Sequence, residues 1–229
     1  MMTSILKQIS ILSLPLLFAM TLHESAHAWV ADKKGDPTAR WLGRISLNPW
    51  VHIDLFGTII IPILLFVASG GSAMFGWAKP VPVNIHNFRH PKRDMAWVAA
   101  AGPGMNLFLA LASGLFYRLL LFAGDGLYSV GLAEWTRWLL IPLLLMLTFS
   151  IQFNLLLCFF NLIPIPPLDG GRVLAGLLPV RQAQKFLKIE PYGMLLLLFF
   201  FYVDPLGVMP GLLGPMIDRL VGIISGTPI

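Results

Sequence analysis

Four apolar runs, at about 5–31, 94–122, 134–161 and 191–208, decide what this chain can become. Each reaches or approaches the ~20 residues that an α-helix needs to cross a hydrocarbon core ~30 Å thick. Backbone N–H and C=O groups find no water there, so runs of this length must satisfy themselves as helices. Charge agrees, since only 12% of the 229 residues are Asp, Glu, Lys or Arg, against about 25% in soluble domains. The expected fold class is an all-α polytopic membrane protein, a bundle of four to six transmembrane helices. One domain over 1–229 is expected, with no room for a separate soluble domain.

A fifth apolar stretch, His52–Gly71, is broken by Gly57 and Pro62 and ends in a Gly-Gly pair. Basic residues argue about its path. Lys33, Lys34, Arg40 and Arg44 precede it, and Lys79, Arg89, Lys92 and Arg93 follow it. If the stretch dips in and returns, twelve basic residues share the cytoplasmic side and four lie outside. If it crosses, the division is eight against eight. Positive charge collects in cytoplasmic loops, which favours a re-entrant or small β-hairpin element between the first two core helices. A final apolar segment, Gly211–Ile224, is short and is expected to lie along the interface.

The same rule accounts for the net charge of +5. No basic run is interleaved with aromatics, so nucleic acid is not an expected partner. Cys158 is the single cysteine, which excludes an internal disulfide and a cysteine metal cluster.

The first helix carries "HESAH" at 23–27 within a run of Leu, Phe, Met, Ala and Trp. Histidines four apart project from one helix face, a spacing that can hold one zinc ion. Glu24 between them suits a general base acting on water in the open coordination position. Ionisable groups in hydrocarbon cost at least ~2.5 kcal/mol each on insertion scales, and a shared cation would remove that penalty. Two other readings of the segment are a signal peptide ending in "SAHA" and a proton-relay cluster without metal.

Such a zinc site needs a third protein ligand at matching depth. Asp169, in "FNLIPIPPLDGGRV", is the candidate, because it follows the third core helix and arrives near the same cytoplasmic face. Pro164, Pro166 and Pro167 unwind the chain before it, and Gly170 and Gly171 are expected to let the backbone approach the metal. The competing role for Asp169 is a helix cap.

Three motifs together resemble the site-2 protease family of intramembrane zinc metalloproteases: "HESAH" (23–27), "AGPGMN" (101–106) and "FNLIPIPPLDGG" (160–171). "GWAKPVPVN" (76–84) looks like the segment that precedes the second core helix in short bacterial and archaeal members. The order of the motifs matches over nearly the whole chain. The resemblance implies cleavage of a peptide bond in a membrane-protein or membrane-peptide substrate within the lipid bilayer. It implies one zinc ion on His23, His27 and Asp169, with Glu24 activating water. It places Asn106 and Asn161 on family asparagines that could steady the oxyanion or the substrate backbone; interhelical hydrogen bonding is the other reading for both. Asn154, on the same helix face as Asn161, is expected to be structural. Inserted PDZ and CBS domains and a leading helix, found in larger members, are not expected, so their regulation does not carry over. A multi-pass protein of a prokaryotic membrane, with its site near the cytoplasmic face, is implied.

"KPVPVNI" alternates like an edge strand, which could pair with an unwound substrate. His52 and Asp54 are expected to fix a loop, with a secondary metal role as the alternative. Two rival functions remain at this stage: a catalytically silent metal-binding scaffold, and a metal or proton transporter.

Overall fold

A computed structural model describes residues 2–68, 70, 76–129, 133–203, 211 and 213–227. The first helix, α1, covers Met2–Lys34, about 50 Å at 1.5 Å per residue. Two lysines favour its C-terminal end, and Gly35 stops it with φ of 110°, a conformation that disfavours a side chain. Asp36 then turns the chain into the short helix α2 (Thr38–Trp41), its backbone N–H bonded to the Ala31 carbonyl.

The fifth apolar stretch is helical over Leu55–Ala68. Asp54 caps a π-helical turn over Leu55–Ile60 by accepting from the Gly57 N–H at 2.7 Å. The helix α3 (Ile61–Ala68) continues directly from this turn, with Pro62 near the junction. The chain then comes back to its starting point: Trp77 N–H bonds the Gly57 carbonyl at 3.0 Å, and Lys79 N–H bonds the His52 carbonyl at 2.9 Å. Gly57 and Gly76 permit this return, since a Cβ on Gly76 would stand 2.5 Å from the Gly57 carbonyl oxygen. Among the described residues no strand forms, so the expected small β-hairpin is not found there. Residues 76–84 form neither helix nor strand, although Asn84 is extended, and prolines 80 and 82 lack the N–H groups that a ladder needs.

Two long helices follow, α4 (Pro91–Ser129) and α5 (Ala133–Asn161). The span Pro91–Gly124 and the span Trp138–Asn161 are both long and apolar enough to cross a membrane. Then come α6 (Asp169–Leu177), α7 (Val180–Leu187), α8 (Glu190–Val203) and α9 (Gly214–Ser225). The expected 94–122 and 134–161 helices therefore begin a little earlier, and the former runs further. The last five residues of the expected 191–208 helix, 204–208, lie outside the described residues.

Helices α1, α4 and α5 pack together, α6 rests on α4, and α9 docks against α4 and α5. The buried centre combines small side chains, Ala19, Ala26, Ala99 and Ala110, with a cluster of Ile151, Leu155, Leu213 and Ile217. Large apolar side chains such as Phe108, Leu119 and Phe122 face outward. Large apolar side chains facing outward are the pattern expected where lipid, not water, surrounds the helices. Lys34 and Asp94 form an ion pair at 3.6 Å, which brings the end of α1 to the start of α4. That register sets the depth at which the two helices meet further in.

Candidate metal centre

His23 and His27, one turn apart on α1, leave the helix on the same side. Both are buried, and their Nε2 atoms lie 3.0 Å apart. The loop after α5 delivers Asp169, the first residue of α6, so that its Oδ2 stands 3.2 Å from His23 Nε2 and 3.3 Å from His27 Nε2. Its carboxylate is turned to the histidines, and no side-chain cap is made at the start of α6. These three are the His, Cys, Asp and Glu residues that converge as a metal-type cluster among the described residues. Ligands ~2.0–2.1 Å from one tetrahedral ion lie roughly 3.4 Å from each other, close to the spacing found here.

The protons support the same conclusion. His23 Nδ1 lies 2.5 Å from Asn106 Oδ1, and His27 Nδ1 lies 2.7 Å from the Val98 carbonyl oxygen. The Asn106 amide can have only one orientation, because its Nδ2 donates to the Ala19 carbonyl. Both Nδ1 atoms therefore face acceptors and carry the ring proton. Both Nε2 lone pairs then converge with a carboxylate oxygen, and no donor stands among them. Three acceptors at this spacing repel unless a cation lies between them, so these residues fit a zinc ion.

A glycine makes the space. A Cβ on Gly102 would stand 2.3 Å from His27 Nε2 and 2.6 Å from His23 Nε2. This is the glycine that keeps backbone close to the ligands. Gly170 and Gly171 serve another purpose than expected. A Cβ on Gly170 would strike the Leu162 carbonyl at 2.2 Å, and one on Gly171 would strike Pro166 N at 2.5 Å. They fold the loop onto itself and so aim Asp169.

Asn106 does not line open space. It is fully buried, and besides His23 and Ala19 it donates from Nδ2 to Asn154 Oδ1 at 2.8 Å. Asn154 in turn donates to the Ser150 carbonyl at 2.8 Å, and Ser150 Oγ bonds Ser113 Oγ at 2.8 Å. A buried chain of side chains from α4 and α5 thus holds one ring on α1. Sequence reasoning gave Asn154 no part near the metal and did not single out Gly102; the available signal was polar residues four apart, Ser150 and Asn154, inside an apolar helix. Asn161 is half-buried, and its Nδ2 bonds the Leu157 carbonyl one turn back. Glu24 is half-buried and pairs with no group among the described residues. His52 bonds the Ser46 carbonyl at 3.0 Å, and Asp54 caps the π-helical turn, so both fix loops.

Fold and site together define a helical membrane protein with a metallopeptidase-type centre. The chain belongs to peptidase family M50, the site-2 protease family of zinc-dependent peptidases. The model of that family matches residues 126–203, a stretch that includes Asp169. The chain is 40% identical over 201 residues to YwhC of Bacillus subtilis, a protein whose name assigns it to the zinc metalloproteases. That match covers 86% of this chain and 81% of YwhC. It is 28% identical over 190 residues to Rip2 of Mycobacterium tuberculosis, also named for the zinc metalloproteases, covering 83% of this chain and 66% of Rip2. No solved structure matches the chain.

Proposed function

We propose that this metalloprotease is an intramembrane endopeptidase that hydrolyses a peptide bond within or beside a transmembrane segment of another protein. The observation that carries the reading is the convergence of His23, His27 and Asp169, with both histidines held in the tautomer that frees Nε2. These three residues hold one zinc ion. When bound, the ion supplies Lewis acidity, which lowers the pKa of water and polarises the carbonyl under attack.

Glu24 does the proton work. Half-buried and unpaired, its carboxylate takes a proton from the attacking water and returns it to the leaving amine. Asn106 and Asn154 orient His23 and do not touch substrate. Asn161 keeps an Oδ1 without a hydrogen bond among the described residues, so it remains the candidate for contact with the substrate backbone.

The whole chain acts as one catalytic unit. In the proposed topology α1 runs from outside to inside, α4 returns and α5 comes back in. The segment at 52–79 re-enters on the cytoplasmic side, supported by the return of Trp77 and Lys79 to Gly57 and His52. His23 stands eleven residues before Lys34, about 16 Å along the axis, so the site lies inside the bilayer but nearer the cytoplasmic face. Helical substrates have their carbonyls already bonded, and an extended edge at 76–84 would accept them once unwound.

The test is direct. The purified protein in detergent is given a panel of fluorophore- and quencher-labelled single-span peptides. Cleavage that stops with a zinc chelator and returns with added zinc is expected, with Asp169→Asn losing both zinc and activity. A wild-type protein that carries stoichiometric zinc and cleaves no member of a broad panel would contradict the reading.

A further inference from the structure

Residues 81–83 make no backbone hydrogen bond among the described residues, yet both flanks are tied firmly. On one side the Arg44 guanidinium donates from Nη2 to the Lys79 carbonyl at 2.5 Å and the Pro80 carbonyl at 3.0 Å, and from Nη1 to the Val51 carbonyl. On the other side Asp36 accepts from Asn84 N–H at 2.6 Å and from Asn87 Nδ2 at 2.8 Å. Arg44 is 5% exposed and Asp36 is 0% exposed, so a buried cation and a buried anion hold the two ends.

A segment stretched between these two ties alternates its polar groups, so Val81 and Val83 would present N–H and C=O to one edge. Pro80 and Pro82 leave the opposite edge without N–H donors. Only one edge can pair with another chain. The segment is also seated near the helix that carries the histidines: Val83 packs against the cluster of Ala31, Phe88 and Val98, and the Val98 carbonyl accepts from His27. At the other end Arg44 lies within Coulombic reach of Glu24. Burial lowers the guanidinium pKa, and the Glu24 carboxylate pushes it back up.

We propose that Arg44 and Asp36 are positioning residues that stretch 81–83 between them as a one-sided edge, and thereby set which substrate peptide bond lies at Glu24. The inference rests on the strand-addition reading of 76–84. A planar guanidinium can serve three carbonyls at once, which a lysine ammonium on a flexible stem cannot reproduce. A slackened edge slips in steps of two residues, because a slip of one turns every side chain to the other face.

The experiment uses the full chain in detergent and a labelled single-span peptide that the wild type cleaves, with products read by mass spectrometry. Zinc content is measured on every variant. Arg44→Lys and Asp36→Asn are expected to keep zinc while kcat falls about 10- to 100-fold, with cleavage spreading to bonds two residues away. Val81→Pro, which removes an edge donor, is expected to raise KM. Wild-type kcat and a single unchanged cleavage site in both clamp variants overturn the proposal, as does loss of zinc in both. If Val81→Pro leaves KM unchanged, the strand-addition reading fails and the proposal with it. A raised KM there, beside normal clamp variants, removes the clamp alone.

Discussion

Gly102 of α4 faces His27 of α1 so closely that a methyl group on its α-carbon would stand 2.3 Å from the imidazole Nε2. The contact is with the atom proposed to bind metal, and the neighbouring His23 Nε2 is almost as near. Gly102→Ala is therefore expected to expel zinc or prevent its binding while the long helices still form. Zinc stoichiometry by mass spectrometry checks this, with helix content followed by circular dichroism. Gly104, two residues on, has nothing within 4 Å of its would-be Cβ, so Gly104→Ala is the control expected to keep zinc.

The buried amide chain behind His23 makes a second prediction. Asn154 touches no ligand, but it fixes the Asn106 amide that fixes the His23 ring. Asn154→Leu is expected to weaken zinc retention about 10- to 100-fold, the usual cost of losing an outer hydrogen-bond partner. Competition with a zinc chelator reads the affinity without any substrate. Unchanged retention in both Asn154→Leu and Asn106→Leu would remove the chain from the site.

Asp36 makes stability depend on acid. Burial works to raise its carboxyl pKa, but hydrogen bonds from Thr38, Asn87 and Asn84 outweigh burial and hold it below the ordinary value. A carboxyl whose pKa is lower in the folded state stabilises the fold above its unfolded pKa. That contribution is lost as pH falls through the folded value. The thermal midpoint of wild type is thus expected to drop on acidification below about pH 4. Asp36→Asn should start lower at neutral pH and show a flatter acid limb.

Gly193 places α8 against the loop that carries Asp169. A Cβ there would stand 1.9 Å from the Pro166 carbonyl oxygen. Gly193→Ala is expected to push α8 outward and cost on the order of 1–3 kcal/mol, the range for overpacking. Unfolding midpoints in mixed micelles measure it. An unchanged midpoint would show that α8 yields freely.

Much of the site could be read from the chain because its chemistry is written in unusual residues. Two histidines and a glutamate in a greasy helix have few explanations, and an aspartate at the matching depth narrows them further. The apolar runs likewise announced α4 and α5 within a few residues. What could not be read was contact between helices. Nothing in "AGPGMN" says which glycine faces the histidines, because helix rotation is set by packing across α1 and α4. Asn106 and Asn161 sit in equally suggestive motifs, yet one is sealed behind His23 and the other lies half-exposed at the end of α5. The break at Gly57 and Pro62 was legible in the pattern, but the return of Trp77 and Lys79 to Gly57 and His52 depends on Gly57 and Gly76 fitting against Trp77 and Pro62. Arg44 looked like one more cytoplasmic charge. Burial beneath three carbonyls gave it a different meaning.

Glu24 offers the most direct measurement. Glu24→Gln keeps size and polarity, lies outside the three ligand atoms and removes only the base. With zinc content verified, its single-turnover cleavage rate on a labelled single-span peptide is compared with that of wild type. A loss of about 10²- to 10⁴-fold is expected for an absent general base, with zinc at the wild-type level. Cleavage by Glu24→Gln at the wild-type rate would contradict the assignment of Glu24.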